Sequence, residues 1–335
     1  MTELATEPAA AVEPADSERT SELAGRLEEY RRELAGYCYR MLGSTFETDD
    51  AVQETMVRAW RALGKFDGRS SLRTWLYRIA TNVCLDLLNG RNRRALPMDL
   101  GPASPPVAAS LGQPRSEAVW IQPVLNSSVL PANGDPADLA VGRDTIRLAF
   151  IAALQHLPPR QRAVLILREV LRWSAIEAAE LLDTTVASVN SALQRARATI
   201  SSVGPDSEDR FDPMNEEQKD LLARYLQAFT AYDIESLVAL LQEEATASMP
   251  PFQLWLQGRA DIGKWHIGPG HECNGSVLVP LEVNGSAAFA HYKPAVDGHK
   301  PFGIQVLELT GGQISKITYF LDTDLFRLFG LPERV

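Results

Sequence analysis

Residues 171–197, LRWSAIEAAELLDTTVASVNSALQRAR, read as helix, tight turn, helix. Ser174 is placed to cap the first helix, and Glu177 three residues on completes a capping box. Ile176, Ala179, Leu181 and Leu182 give that helix an apolar face. Asp183, Thr184 and Thr185 break the pattern. Val186, Val189 and Leu193 then recur at spacings of three and four, the period of a second helix. Its other face carries Ser188, Asn190, Ser191, Gln194, Arg195 and Arg197, short and polar early, basic late. This order suits a helix whose early side chains meet base edges in a major groove and whose later cations meet phosphates. A plain helical hairpin with a solvated basic end fits the same pattern.

Upstream, Leu27, Tyr30, Leu34, Tyr37, Cys38 and Met41 form an apolar stripe ended by Gly43. The next helix, DDAVQETMVRAWRAL, starts with acids at its positive end. It turns Val52, Met56, Ala59 and Leu63 inward and leaves Asp50, Gln53, Glu54, Arg58 and Arg61 for another surface. After the Phe66-Asp67-Gly68 turn, SSLRTWLYRIATNVCLDLLNGRNRR buries Leu72, Leu76, Ile79, Val83 and Leu87. Arg73, Trp75, Tyr77, Arg78 and Asn82 occupy the rest, and Arg91, Arg93 and Arg94 end it. Rings interleaved with cations suit a single nucleic-acid strand, where bases stack and phosphates pair. An amphipathic helix with half-buried rings would look alike.

Length, 335 residues, and 45% hydrophobic content allow two or three cored domains. The net charge of −10 argues against nucleic acid until its distribution is seen. Residues 30–97 carry net +5 and 143–200 net +3, whereas residues 201–335 carry −9. Basic helical blocks alternate with acidic segments. The three cysteines, Cys38, Cys84 and Cys273, are scattered without metal-ligand spacing, and the first two lie on apolar helix faces. No apolar run is long enough to span a bilayer, and the acidic N-terminus lacks the features of a secretory signal. A cytoplasmic protein with reduced thiols, no metal and no cofactor is expected.

Three separated segments, DDAVQETMVRAW, FDGRSSLRTWLYRIATNVCLDLLNGRNRR and LQHLPPRQRAVLILREVLRWSAIEAAELLDTTVASVNSALQRARATI, together resemble an extracytoplasmic-function sigma factor in the family's order. The resemblance spans roughly Tyr30 to Ile200. It implies that Asp50, Gln53, Glu54 and Arg58 contact the clamp of core RNA polymerase. It implies that Trp75, Tyr77, Arg78 and Asn82 stack on or pocket a base of the opened −10 element, with Arg91, Arg93 and Arg94 on phosphate. Extruding a base costs a few kcal/mol, so such a surface is physically required. It places Ser188, Asn190, Ser191 and Gln194 at −35 base-reading positions and Arg195 and Arg197 on its phosphates. The family often has Gly at the position of Asp183 and a cation at those of Asn190 and Ala192; this helix is less basic, and Asn190 favours adenine where a cation favours guanine.

Residues 97–142 are rich in Pro, Ala, Gly and Ser and read as a linker, unusually long, with apolar islands at Trp120-Ile121 and Val124-Leu125. The islands predict docking, on polymerase or on a third domain. Residues 203–214 form a second, acidic linker. Beyond it, Leu222, Tyr225, Leu226 and Phe229 mark a helix, IESLVALLQ a shorter one, and alternation from Ala245 a set of strands separated by Asn284-Gly285 and Gly311-Gly312. The element order resembles a SnoaL-like domain of the nuclear-transport-factor-two-like superfamily. That fold often encloses a pocket with room for a small-molecule ligand; Asp261, His266, His271, Glu272 and His291 are its candidate polar residues, with the two early histidines expected on a loop.

The expected fold is multi-domain: a disordered acidic N-terminus (1–20), a helical bundle corresponding to sigma region 2 (21–96), the linker (97–142), a helix-turn-helix corresponding to region 4 (143–202), the acidic linker (203–214) and an α+β cone (215–335). The expected function is that of an alternative sigma factor acting with core RNA polymerase on promoter DNA. It catalyses nothing itself, has no membrane contact, and its acidic third domain docks on the basic sigma domains. A SnoaL-like isomerase or hydrolase fused to a DNA-binding module is the alternative. A simple repressor is disfavoured, because it has no use for a strand-opening surface.

Overall fold

The computed structural model describes residues 23–132, 135–203 and 210–335. The expected N-terminal tail (1–20) and residues 204–209 of the acidic linker lie outside the described residues. The first unit is built from α1 (Arg31–Leu42), α2 (Thr45–Ala62) and α3 (Leu72–Leu88). Ser44 caps α2 by accepting from Glu47 N at 3.2 Å, and Ser71 caps α3 by accepting from Thr74 N at 3.0 Å. Each satisfies an amide that the helix itself cannot pair. Tyr37, Cys38, Met41, Val52, Leu76, Val83 and Cys84 fill the core between the helices.

The chain then runs through extended segments and single turns to α4 (Pro136–Asp144), α5 (Leu148–Gln155), α6 (Pro159–Leu165), α7 (Ala175–Leu181) and α8 (Val186–Val203). The α7 capping box forms in both directions: Ser174 N donates to Glu177 Oε2 at 2.7 Å, and Glu177 N to Ser174 Oγ at 3.2 Å. Asp183, in the turn before α8, has φ +49°. That left-handed position explains why a glycine suits it, and aspartate is among the few side chains that tolerate it.

The third unit comprises α9 (Glu216–Thr230), α10 (Ile234–Ala239), β1 (Leu241–Ser248), β2 (Trp255–Gln257), α11 (Arg259–Ile267), β3 (Val277–Val283), β4 (Ser286–Ala295), β5 (Gly298–Thr310), β6 (Gln313–Phe320) and α12 (Asp324–Leu328). The strand order is β2-β1-β6-β5-β4-β3. β1 and β6 are parallel and every other pair is antiparallel. One sheet face, with Phe289, Leu307, Ile317 and Tyr319, packs on Tyr225, Phe229 and Leu237 of the helices. The other, with Ala290, Tyr292, Ile304, Val306 and Phe320, joins Phe326, Phe329 and the core of the first two helical units. Period-two alternation thus serves two cores.

Two details differ from expectation. β1 begins at Leu241, inside IESLVALLQ, because Leu241 pairs with Ile314 and is fully buried. His266 lies on a helix, α11; Gly258, Gly263 and Gly268 punctuate that stretch and hide its periodicity from a sequence reading.

Candidate polymerase and promoter surfaces

On α8, Val189, Leu193 and Ala196 are buried, and Ser188, Asn190, Ser191, Gln194, Arg195 and Arg197 all lie exposed on the outer face. Arg195 Nη1 donates to Ser191 Oγ at 3.1 Å, and Arg197 pairs with Glu169. Exposed pairs of this kind contribute little and exchange readily for a phosphate.

On α2, Asp50, Gln53, Glu54 and Arg58 are likewise exposed and share one face. Arg58 bonds Glu54 at 2.7 Å and lies 3.6 Å from Asp86. Sequence reasoning left out the apolar members of this surface: Trp60 is 68% exposed and Val57 40%. The signal was present, since Trp60 falls off the Val52–Met56–Ala59–Leu63 stripe. A large ring left in water beside charged residues has the make-up of an interface anchor.

The α3 residues divide. Trp75 is half-buried against Phe66, ring centroids 5.1 Å apart, and Arg78, Asn82, Arg91 and Arg93 are exposed. Two residues expected on the strand-binding surface are instead interior. Tyr77 is fully buried, its hydroxyl donating to Glu33 Oε1 at 2.9 Å and its ring packed 5.1 Å from both Tyr37 and Trp173. Burial, reinforced by the Glu33 carboxylate, pushes its phenol well above the usual range, so it stays neutral. It has no free face for a base in this arrangement. Arg94 is 6% exposed; it pairs with Glu47 at 2.8 Å and donates to the carbonyls of Glu117 and Trp120 at 2.9 and 2.7 Å. Its hydrogen bonds hold the linker, where phosphate contact was expected.

The two helical units are packed on one another. Trp173, at the entry to the helix-turn-helix, is buried against Tyr77, with the Arg73 guanidinium 5.3 Å from its ring. Arg78 Nη2 donates to Glu180 O of α7 at 2.9 Å. Two guanidiniums cross the seam deeper in. Arg40 of α1 donates to Thr145 Oγ1 at 2.7 Å and Thr145 O at 3.2 Å. Arg162 of α6 donates to Met41 O and to Gln155 Oε1. Burial lowers both to about 10, still charged at neutral pH.

The linker and the third unit lock this packing. Trp120, Ile121, Val124 and Leu130 are buried; Ala95 pairs with Trp120, and Leu125 with Val283 of β3. The β3–β4 turn enters the two helical units. Asn284 is fully buried: its Nδ2 donates to Tyr39 Oη at 2.6 Å and Ile146 O at 2.7 Å, and its Oδ1 accepts from Val124 N at 3.0 Å. Gly285 N donates to Asn126 Oδ1 at 2.8 Å. One turn therefore bridges α1, the linker and the segment before α5. The ion pair Arg210–Asp144, at 2.8 Å, adds to it, but the tip itself is neutral. Docking here is not the meeting of acidic and basic faces that composition suggests.

Of the candidate cone residues, His266 and His291 are buried inside, while Asp261 pairs with Lys264 and Glu272 with Lys293 nearer the surface. His271 lies beside Tyr232, ring centroids 5.4 Å apart. His291 Nδ1 sits 3.1 Å from Gln305 Nε2, and Gln305 Oε1 accepts from Tyr225 Oη at 2.7 Å. Burial drives His266 down to about 4 and His291 to about 3, so both are neutral. Among the described residues no cluster of three or more His, Cys, Asp or Glu is disposed to hold a metal, and no helix is long and apolar enough to cross a membrane.

Comparison with known proteins gives the same division. Residues 27–94 match the Sigma-70 region 2 model and residues 147–200 the Sigma-70, region 4 model. The ECF RNA polymerase sigma factor SigG of Mycobacterium tuberculosis is 47% identical over 324 residues, 96% of this chain and 86% of that protein. SigW of Bacillus subtilis is 30% identical over 171 residues, 51% of this chain and 82% of that one. The crystal structure of the M. tuberculosis extracytoplasmic function sigma factor SigJ covers 94% of this chain and 99% of its own, with a TM-score of 0.58 at 20% identity, a likeness of fold over all three units. The sigma modules, their order and the whole-length relative lead to one assignment: this chain belongs to the extracytoplasmic-function family of RNA polymerase sigma factors.

Proposed function

We propose that this sigma factor has a closed arrangement, held by its own third unit, which must open before both promoter elements can be read. As a member of its family it binds core RNA polymerase and directs initiation at promoters. The −10 and −35 elements lie about 25 base steps apart, on the order of 85 Å along B-DNA at ~3.4 Å per step. The observation that carries the proposal is the Arg78–Glu180 hydrogen bond, which ties the −10 helix to the −35 module at 2.9 Å. One rigid body with these parts in contact cannot serve sites that far apart. The third unit, clasping the seam through Asn284, favours the closed form and is inhibitory in sign.

In the open form Asp50, Gln53, Glu54 and Arg58, joined by Val57 and Trp60, meet the polymerase clamp. Trp75, Arg78, Asn82, Arg91 and Arg93 meet the opened −10 strand, and the outer face of α8 meets the −35 duplex. Tethering by polymerase makes modest separate affinities sufficient. The protein works beside core polymerase in the cytoplasm. The third unit acts by docking on the sigma units. Run-off transcription with core polymerase tests this, comparing the full chain, an Asn284→Ala variant and a chain ending at residue 203. Higher promoter activity for the last two is expected. Equal activity at equal polymerase occupancy would dispose of an inhibitory clasp.

A further inference from the structure

A cavity of about 680 Å³ opens where the end of α3, the linker and α6 meet. Arg91, Arg93, Arg94, Arg115 and Arg162 line it, with Glu47 as the one carboxylate among its lining residues. Glu47 is already shared, pairing with both Arg91 and Arg94. Arg115 bonds a neutral amide, Gln253 Oε1, at 2.5 Å. Among the described residues Arg162, 3% exposed, has only carbonyl and amide acceptors, and its Nε has no partner. Arg93 lies against the His156 ring, 2.6 Å from Nε2. Five guanidiniums thus converge with one carboxylate between them, an arrangement that attracts a multiply charged anion. Guanidinium forks match phosphate oxygens bidentately.

We propose that this cavity binds a compact polyphosphate chain, free or carried by a nucleotide, and that it does so only in the closed form. Its volume lies in the range of small-molecule sites. A DNA backbone is the wrong shape. Arg94 and Arg162 lie deep, 6% and 3% exposed, with donors held by Glu47 and by carbonyls, so they add positive charge behind Arg91, Arg93 and Arg115 and offer no track along which a strand could enter and leave. The three walls come from three segments that promoter reading would separate, so the ligand stabilises closure by mass action.

The probe is tripolyphosphate, titrated calorimetrically into the full chain without polymerase. Saturable binding of about one equivalent is expected, weakened about tenfold in Arg115→Ala, which removes one charge-assisted contact on an exposed linker residue. The His156 ring proton signals should shift, and its titration should move upward as the anion offsets Arg93, which together with burial now holds it low. ATP in parallel identifies the carrier: equal affinity assigns the phosphate chain alone, tighter binding a nucleotide. Absence of saturable binding below about 1 mM, the weak end of the range over which proteins ordinarily engage small metabolites, no effect of Arg115→Ala, or displacement by a single-stranded −10 oligonucleotide with the same Arg115 dependence would each overturn the proposal. Weaker core-polymerase binding in the presence of tripolyphosphate, absent in Arg115→Ala, is the second arm. That arm rests on the closed-to-open reading, whereas the calorimetry does not, so the two can fail separately.

Discussion

Arg40 and Arg162 hold the two sigma units together with charge that no carboxylate among the described residues pairs with. Arg162 gives hydrogen bonds to the carbonyls of Met41, Gln155 and Leu157, so truncating it strands several buried acceptors. Arg162→Ala should cost about 2–3 kcal/mol, measured by urea unfolding. The cone histidines give a pH dependence. Both are neutral in the native state, with pKa values of about 4 and 3, and both bind a proton once unfolded below about 6.5. The unfolded state therefore binds more protons as pH falls through 6.5, and stability is lost from there down toward pH 4. Between pH 7 and 5 the loss should be about 2 kcal/mol per histidine, and His291→Phe should flatten the slope. A slope unchanged in that variant would mean other groups carry it. None of this was legible in sequence. Helical spacing assigns a residue to one face against one neighbour, and the burial of Tyr77 and Arg94 could not be read because the partners that cover them, Trp173 and Trp120, come from distant segments.

At the level of elements more could be read. The α7 capping box, the cores of α1 to α3 and the outward face of α8 follow from periodicity and cap chemistry, because a helix buries whatever its own stripe presents. The Asn284-Gly285 turn was legible as a hairpin, with φ +53° and +64°. Its second role was not, since nothing local says that a turn will be buried. Two tests belong here. Trp60→Ala on α2 should weaken core-polymerase binding about tenfold or more while leaving thermal stability nearly unchanged, because the ring is mostly in water; equal affinity would remove it from the interface. Gly285→Ala faces both a left-handed φ and a Cβ only 2.4 Å from Arg143 O. It should release the tip, which limited proteolysis of the 120–130 segment and a longer α3-to-α8 distance by energy transfer would record.

For the molecule as a whole, the linker is the part that composition described least well. Pro, Ala and Gly mark it as unable to fold alone, yet Ser104 N, Trp255 Nε1 and Gln253 Nε2 tie it to β2 and the loop before it. The apolar islands were its only visible sign of a destination. They complete one core shared by the sigma units and the outer sheet face, so the third unit is closer to a keystone than to an appendage. This arrangement has a consequence for synthesis. The amide of Val124 waits for Asn284, 160 residues later, for its partner. The last promoter-reading helix, α8, is complete at Val203, so at about 5–20 residues per second both helices exist for roughly 4–16 s before Asn284 is added. Newborn chains therefore pass through an interval in which the hairpin does not yet fasten them, and a polymerase close to the translating message would meet the protein unlatched.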